Sequence, residues 1–216
     1  MYIIIKSKKI ELCDYTNNRI NSFSIDFTTK KFLNRIKNIH TKEALPKAVG
    51  IKNTYFPNII DTTAGLGKDS VLLAALGCQV TMFERNPIIA FCLQEALKKA
   101  KKNTIIGQFI SDNIKLFKQS SLQMIDIPEI TKPEVIYLDP MLYTLKIKSS
   151  PKREIHFLKK LIKNADQDAY KIFSIAIQFA TKRVVVKRPL NCTFLNNIKT
   201  KNFIKTKKNR FDIYFV

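Results

Sequence analysis

Tryptophan is absent from this 216-residue chain, glycine occurs five times, cysteine four times and histidine twice. The scarcity of cysteine and histidine closes off a class of protein. Cys13, Cys78, Cys92 and Cys192 stand far apart with no C-x-x-C pair, and only His40 and His156 are available to join them. A zinc site is therefore not expected, no metal is called for, and the thiols read as reduced and mostly buried. Apolar runs stop after a handful of residues, too few to span a bilayer. The stretch from Met1 to Lys6 is too short for a signal peptide and has no charged segment before it, so a cytoplasmic protein without a membrane partner is expected. At 45% hydrophobic and 25% charged residues, the composition is that of a soluble globular domain, not of a disordered chain.

Acidic side chains are scarce as well, 17 against 38 lysines and arginines, which leaves a net charge of +21. Residues 1–60 carry a net +7, residues 61–140 are neutral, and residues 141–210 carry +15. A genome rich in A and T inflates lysine along a whole chain and leaves the neutral centre unexplained. A small-molecule site in the centre, with a polyanion held by the two flanks, accounts for the pattern.

From Asn58 onward, short apolar runs alternate with amphipathic stretches. Asn58 to Asp61 reads as a buried strand, Lys68 to Leu76 as a helix closed by Gly77, and Gln79 to Phe83 as a second strand. Asn86 and Pro87 open the next helix as N-cap and first residue, with Ile89, Leu93, Ala96, Leu97 and Ala100 on its inner face. Ile114 to Phe117 reads as a third strand and Glu134 to Leu138 as a fourth. A helix over Asp168 to Ala180 and a fifth strand over Arg183 to Lys187 follow, and residues 201–206 and 211–216 pair as a final hairpin. The expectation is an α/β fold with a mostly parallel sheet and a C-terminal antiparallel hairpin. Residues 1–45 fit the alternation poorly and read as a small N-terminal subdomain or cap before a domain over residues 46–216.

Asp61-Thr62-Thr63-Ala64-Gly65-Leu66-Gly67-Lys68-Asp69 leaves the first of these strands and enters a helix. Gly65 and Gly67 permit a tight turn and close approach of a ligand to the backbone. A dinucleotide fingerprint wants a third glycine where Ser70 stands, which argues against a nicotinamide cofactor and for a nucleoside without a pyrophosphate, S-adenosylmethionine being the commonest. Glu84 closes the second strand, where a carboxylate can take both ribose hydroxyls. Leu138-Asp139-Pro140-Met141 ends the fourth strand, and a carboxylate followed by proline places rigid acceptors at the ligand edge of the sheet. Such acceptors suit the two N–H bonds of an exocyclic amine. Lys187 and Arg188 end the fifth strand at the same edge, positioned to meet phosphates.

The ordered set D-T-T-A-G-L-G-K-D, F-E-R-N-P, Y-L-D-P-M, K-R-V-V-V-K-R-P and R-F-D-I-Y closely resembles the J-type family of small-subunit ribosomal RNA methyltransferases, from Lys47 to the C-terminus. The resemblance implies a Rossmann-like class I methyltransferase sheet and transfer of a methyl group from S-adenosylmethionine to the exocyclic N2 of a guanine near the 3′ end of 16S rRNA, free or in the small ribosomal subunit. It places cofactor contacts on Lys68, Asp69, Glu84, Arg85, Ser120, Ser121 and Asp139, beside Asp61 and the two glycines. Asp139 and the Pro140 carbonyl are the implied catalytic acceptors. Three positions depart from the family pattern. Its glycine-rich stretch before K-A-V-G reads Ile36 to Thr41 here; its arginine in the first motif is Lys68, which keeps charge without the bidentate fork; and its phenylalanine after D-P-M is Leu142, leaving Tyr143 as the aromatic platform for the target base. Two rivals stay open: methylation of another nucleic-acid amine such as adenine N6, and an RNA-binding or ribosome-assembly protein that has lost catalysis.

Overall fold

A computed structural model describes residues 2–6, 9–16, 19–140, 161 and 168–216. Leu142 and Tyr143 lie outside the described residues. The chain opens with an antiparallel meander of β1 (Tyr2–Lys6), β2 (Lys9–Thr16) and β3 (Arg19–Phe23), then α1 (Lys30–Lys37) and α2 (Ala44–Val49). The alternating part follows: β4 (Ile59–Asp61), α3 (Lys68–Ala75), β5 (Val80–Phe83), α4 (Pro87–Lys101), α5 (Gly107–Asn113), β6 (Ile114–Phe117) and a 3₁₀ turn over Ser121–Asp126. It continues through β7 (Val135–Leu138), α6 (Ala169–Phe179), β8 (Arg183–Pro189), β9 (Phe203–Lys205) and β10 (Asn209–Phe215).

The main sheet has the order β6-β5-β4-β7-β8-β10-β9. Its first five strands are parallel, while β10 runs antiparallel to both β8 and β9. The expected terminal hairpin forms, and β10 inserts between β8 and β9. Buried Val, Ile, Leu and Met side chains fill β4, β5, β7 and β8, as a sheet covered on both faces requires. On one face Val71, Leu73, Leu93, Ala96, Ile110 and Val49 pack from α2 to α5. On the other, Ile172, Phe173 and Ala176 of α6 pack with Met124 against Ile136, Leu138 and Val186.

Local chemistry explains the element ends. The Asn86 side chain accepts from the N–H groups of Ile88 (3.0 Å) and Ile89 (3.2 Å), capping α4 ahead of Pro87. The Ile36 to Thr41 stretch, where the family's glycines are replaced, completes α1: Asn38 caps it, Ile39 is buried, and Arg35 ion-pairs with Glu43. Phe27 joins the main core, and Leu12, Ile10 and Phe23 of the meander pack on Cys92 and Ile88 of α4.

Gly65 and Gly67 both hold positive φ, +53° and +70°, but they face different surroundings. A Cβ at Gly65 meets nothing nearer than the Thr63 carbonyl at 3.8 Å, whereas one at Gly67 falls 2.7 Å from Leu93 Cδ1. Gly65 therefore serves the open side of the turn, and Gly67, read from sequence as a site of ligand approach, seats α3 against α4. Gly65→Ala is expected to cost about 1 kcal/mol through its φ alone, and Gly67→Ala about 2–4 kcal/mol because overpacking is added. Urea denaturation of the two variants checks this; equal losses show that Leu93 yields freely.

Candidate active site

Strand order reverses between β4 and β7, and a crevice for ligands opens beyond the carboxyl ends of strands at such a point. The loop from Asp61 to Gly67 lines it. Asp61 is 2% exposed; it accepts from the Thr63 N–H (3.0 Å) and from the Ser70 hydroxyl. Ser70, noted in the sequence for the glycine it displaces, is thus the partner of this buried carboxylate. Burial pushes the Asp61 carboxyl up to about 7, against the pull of those two hydrogen bonds and with a further push from the Asp69 and Asp139 charges.

Glu84, at the end of β5, is 7% exposed. Its two oxygens accept from the backbone N–H of Gly65 (2.9 Å) and of Asn86 (2.7 Å), which locks the carboxylate against the glycine turn. Burial raises its pKa, while the two amides and the Arg85 charge draw it back. Arg85 reaches outward to Asp168 at the start of α6 (2.6 Å). Beyond β6, Ser120 caps the 3₁₀ turn by accepting from Leu122 N–H (3.3 Å), and the Ser121 hydroxyl is buried with no partner among the described residues.

At the β7 end, two carboxylates converge on one cation. Lys187 Nζ donates to Asp69 Oδ2 and Asp139 Oδ2, both at 2.8 Å, and Tyr137 Oη donates to Asp69 Oδ2 at 2.7 Å. The Asp139 N–H donates to Thr63 Oγ1 (2.7 Å), tying the D-P turn to the glycine loop. Asp139 keeps 39% of its side chain exposed, and its Oδ1 has no partner among the described residues. Burial raises the Asp139 carboxyl; Lys187 opposes that rise and Asp69 adds to it. Burial alone lowers Lys187, yet the Asp139 and Asp69 charges leave it raised overall.

Lys187 and Arg188, grouped by sequence as a phosphate-facing pair, point to opposite faces of the sheet because adjacent strand residues alternate. Lys187 shares the face of Tyr137 and Asp69. Arg188 is 4% exposed, donates to the Thr193 carbonyl from Nη2 and leaves Nε and Nη1 without partners among the described residues. As it stands, Arg188 presents no surface to a phosphate, and Lys187 spends its charge on two carboxylates. Pro140 is buried at the rim. Thr63, Ser70 and Tyr137 went unnoticed in the sequence as site residues. The signal for Tyr137 was available, since it stands two residues before Asp139 and so shares its face.

The arrangement fits a nucleoside cofactor: space over Gly65, an anchored acid at Glu84 and a buried Ser121 hydroxyl without a partner among the described residues all follow the carboxyl ends of neighbouring parallel strands, β4, β5 and β6. With five parallel strands continued by two antiparallel ones, fold and crevice define a class I methyltransferase. The family model described as "Putative SAM-dependent methyltransferase" matches residues 1–216. Ribosomal RNA small subunit methyltransferase J of Buchnera aphidicola subsp. Schizaphis graminum is 42% identical across 99% of this chain and 86% of its own length. The enzyme of that name from Erwinia tasmaniensis is 40% identical across 99% and 85%. A crystal structure of a SAM-dependent methyltransferase from Neisseria gonorrhoeae superposes with a TM-score of 0.77 at 29% identity, covering 99% of this chain and 82% of that one. An RNA methyltransferase from Salinibacter ruber, bound to S-adenosyl-L-homocysteine, shares the fold at 12% identity and a TM-score of 0.50 over 87% of this chain and 92% of that one. The chain belongs to the ribosomal RNA small subunit methyltransferase J family, and its cofactor is S-adenosylmethionine. Among the described residues no helix is long and apolar enough to cross a membrane, and no cluster of His, Cys, Asp and Glu is arranged to hold a metal ion.

The raised Asp61 carboxyl carries a pH signature. Between the ordinary aspartate value of 3.8 and about 7, the folded protein keeps this proton while the unfolded chain has lost it. Stability therefore falls as pH rises through that window. Asp61→Asn removes this contribution, so the stability of the variant relative to the parent should climb from pH 4 to pH 7 and level off above. Denaturation midpoints across that range measure it; a constant difference shows that Asp61 ionises normally.

Proposed function

We propose that this protein methylates the exocyclic N2 of a guanine near the 3′ end of 16S rRNA, in free RNA or in the small ribosomal subunit, and that it works in the cytoplasm. The observation that carries the reading is Asp139: one oxygen fixed by Lys187, the other without a partner among the described residues, at the carboxyl edge of the parallel strands. Glu84 takes the cofactor ribose. Asp61, Gly65, Lys68, Asp69, Arg85, Ser120 and Ser121 complete the cofactor site, Gly67 setting the turn from beneath. When bound, S-adenosylmethionine supplies a methyl group made electrophilic by its sulfonium.

The remaining work is geometric. The N2 lone pair of guanine is delocalised into the ring, so the amine attacks only when it is held in line. Asp139 Oδ1 and the Pro140 carbonyl accept its two N–H bonds, and near-attack placement of this kind contributes up to about 7–11 kcal/mol. Asp139 Oδ1 would take the proton that N2 sheds on methylation. Lys187 is a positioning residue that holds the carboxylate at the required angle and opposes its protonation. A stacked, paired guanine hides this edge, so the base is drawn out of its helix first, with Tyr143 as its platform. Residues 46–216 carry this chemistry, and residues 1–45 form a small subdomain laid on α4.

Asp139→Ala is expected to lower turnover by at least about 100-fold while leaving rRNA affinity within about twofold, because its bond to the substrate is made at the reacting amine alone. Labelled methyl transfer to 16S rRNA, followed by nucleoside identification, measures both activity and product. Full activity in the variant removes Asp139 from the mechanism, and N6-methyladenosine as product replaces guanine with adenine. Glu84→Ala should instead weaken cofactor binding by about 10- to 100-fold in calorimetry, since a buried acceptor for the ribose is removed; unchanged binding displaces Glu84 from the site.

A further inference from the structure

Resting on the reading of the chain as an rRNA methyltransferase, we propose that the turn between β9 and β10 holds the RNA beside the crevice, with Lys205, Lys207 and Lys208 on its phosphates. Between Asp168 and Asp212 the chain has eleven cations and no carboxylate. Strand register separates these cations into those that face the substrate and those that do not. Asn209 of β10 lies opposite Pro189 of β8, and Lys205 of β9 lies opposite Arg210 of β10. The turn therefore emerges at the carboxyl edge of the parallel strands, the edge that carries Asp139 and Lys187. The Leu190 N–H donates to the Lys208 carbonyl (3.1 Å) and pins the turn to the end of β8. With strands spaced as in any sheet, β9 stands about 15 Å to the side of β7 and its Asp139, which is within the span of one RNA strand entering the crevice. Lys199 and Lys201 precede β9 and lie toward the other edge, where the Ile213 N–H donates to the Asn202 carbonyl (2.8 Å).

The turn is built to keep its shape. Thr206 donates to the Asn209 carbonyl through both its N–H (2.7 Å) and its hydroxyl (2.8 Å), and its Oγ1 accepts from the Asn209 N–H (3.0 Å). This leaves Lys207 and Lys208 exposed at a two-residue apex, and among the described residues no carboxylate pairs with either. Lys205 is exposed beside them, its ammonium 5.1 Å from the ring centroid of Phe203, which is also exposed. A stiff cationic turn gives up little conformational entropy when phosphates bind. Lysines on an edge strand also discourage strand addition, but that role makes no distinction between the two ends of β9.

The test compares Lys205/Lys207/Lys208→Gln with Lys199/Lys201→Gln, and with the arginine version of the triple. In the glutamine triple, KM for 16S rRNA should rise about 10-fold or more, and the slope of log affinity against log salt should shrink by about 2, near 0.7 for each phosphate no longer neutralised. Turnover at saturating RNA and cofactor affinity by calorimetry should stay within about twofold, the far-edge pair should match the parent within the same margin, and arginines should restore binding. A triple with the parent's KM and salt slope overturns the proposal, as does an equal effect in the far-edge pair. Binding slopes are read without any turnover, so a parent that binds rRNA and never methylates it overturns the proposed reaction while the turn is still judged on its own.

Discussion

The contact on which the site depends is the pair of ion pairs from Lys187 to Asp69 and Asp139. It joins three elements that are distant in sequence: α3 through Asp69, β7 through Asp139 and β8 through Lys187 itself. Two carboxylates this close repel each other, and each is partly withdrawn from water. One ammonium between them makes the arrangement tolerable and fixes where the D-P turn points. Tyr137 supports it by donating to Asp69, and Thr63 by accepting from the backbone of Asp139. The glycine loop, which carries the cofactor residues, and the acceptor turn are thereby one rigid piece. Removing one member of a buried set like this costs more than the set contributes as a whole, because it leaves an unpaired charge.

A second charged arrangement organises the C-terminal end of the sheet. Arg210 and Asp212, two residues apart on β10 and so on one face, form a buried bidentate pair, with Arg210 also over the Phe194 ring at 4.3 Å. Arg188 lies directly opposite Arg210 in the register. The R-F-D-I-Y signature is therefore architecture: it holds β10 between β8 and β9 and thereby places the lysine-bearing turn at the substrate edge. Asp212, at 0% exposure, has its oxygens satisfied within the strand and plays no part in the crevice.

Charge is thus distributed in two ways in one small protein. Inside the crevice, carboxylates outnumber cations and are held by backbone amides, hydroxyls and one lysine. Outside it, lysines that pair with no carboxylate among the described residues line the β9–β10 edge. A cationic sulfonium cofactor suits the first setting and a phosphate backbone the second, and the neutral centre of the sequence is the part that forms the crevice.

Much of this was legible in the chain itself. Strand–helix alternation, the cap at Asn86 and the inner face of α4 follow from local rules of spacing and chemistry, and so does the arrival of Asp61, Glu84 and Asp139 at strand ends. The pairing of Lys187 with Asp69 and Asp139 was not legible, nor the burial of Arg188, because neighbouring cations on a strand look alike until the sheet assigns each a face. Gly67 reads as serving a ligand when Leu93, 26 residues away, is what excludes its side chain. The core role of Phe27, inside a segment that reads as separate, likewise rests on a long-range contact. Sequence alone determined which chemical groups stand at the ends of which elements, since those are short-range properties. Tertiary structure decided which of these groups meet, because partners and faces depend on strand order and register, which no local spacing encodes.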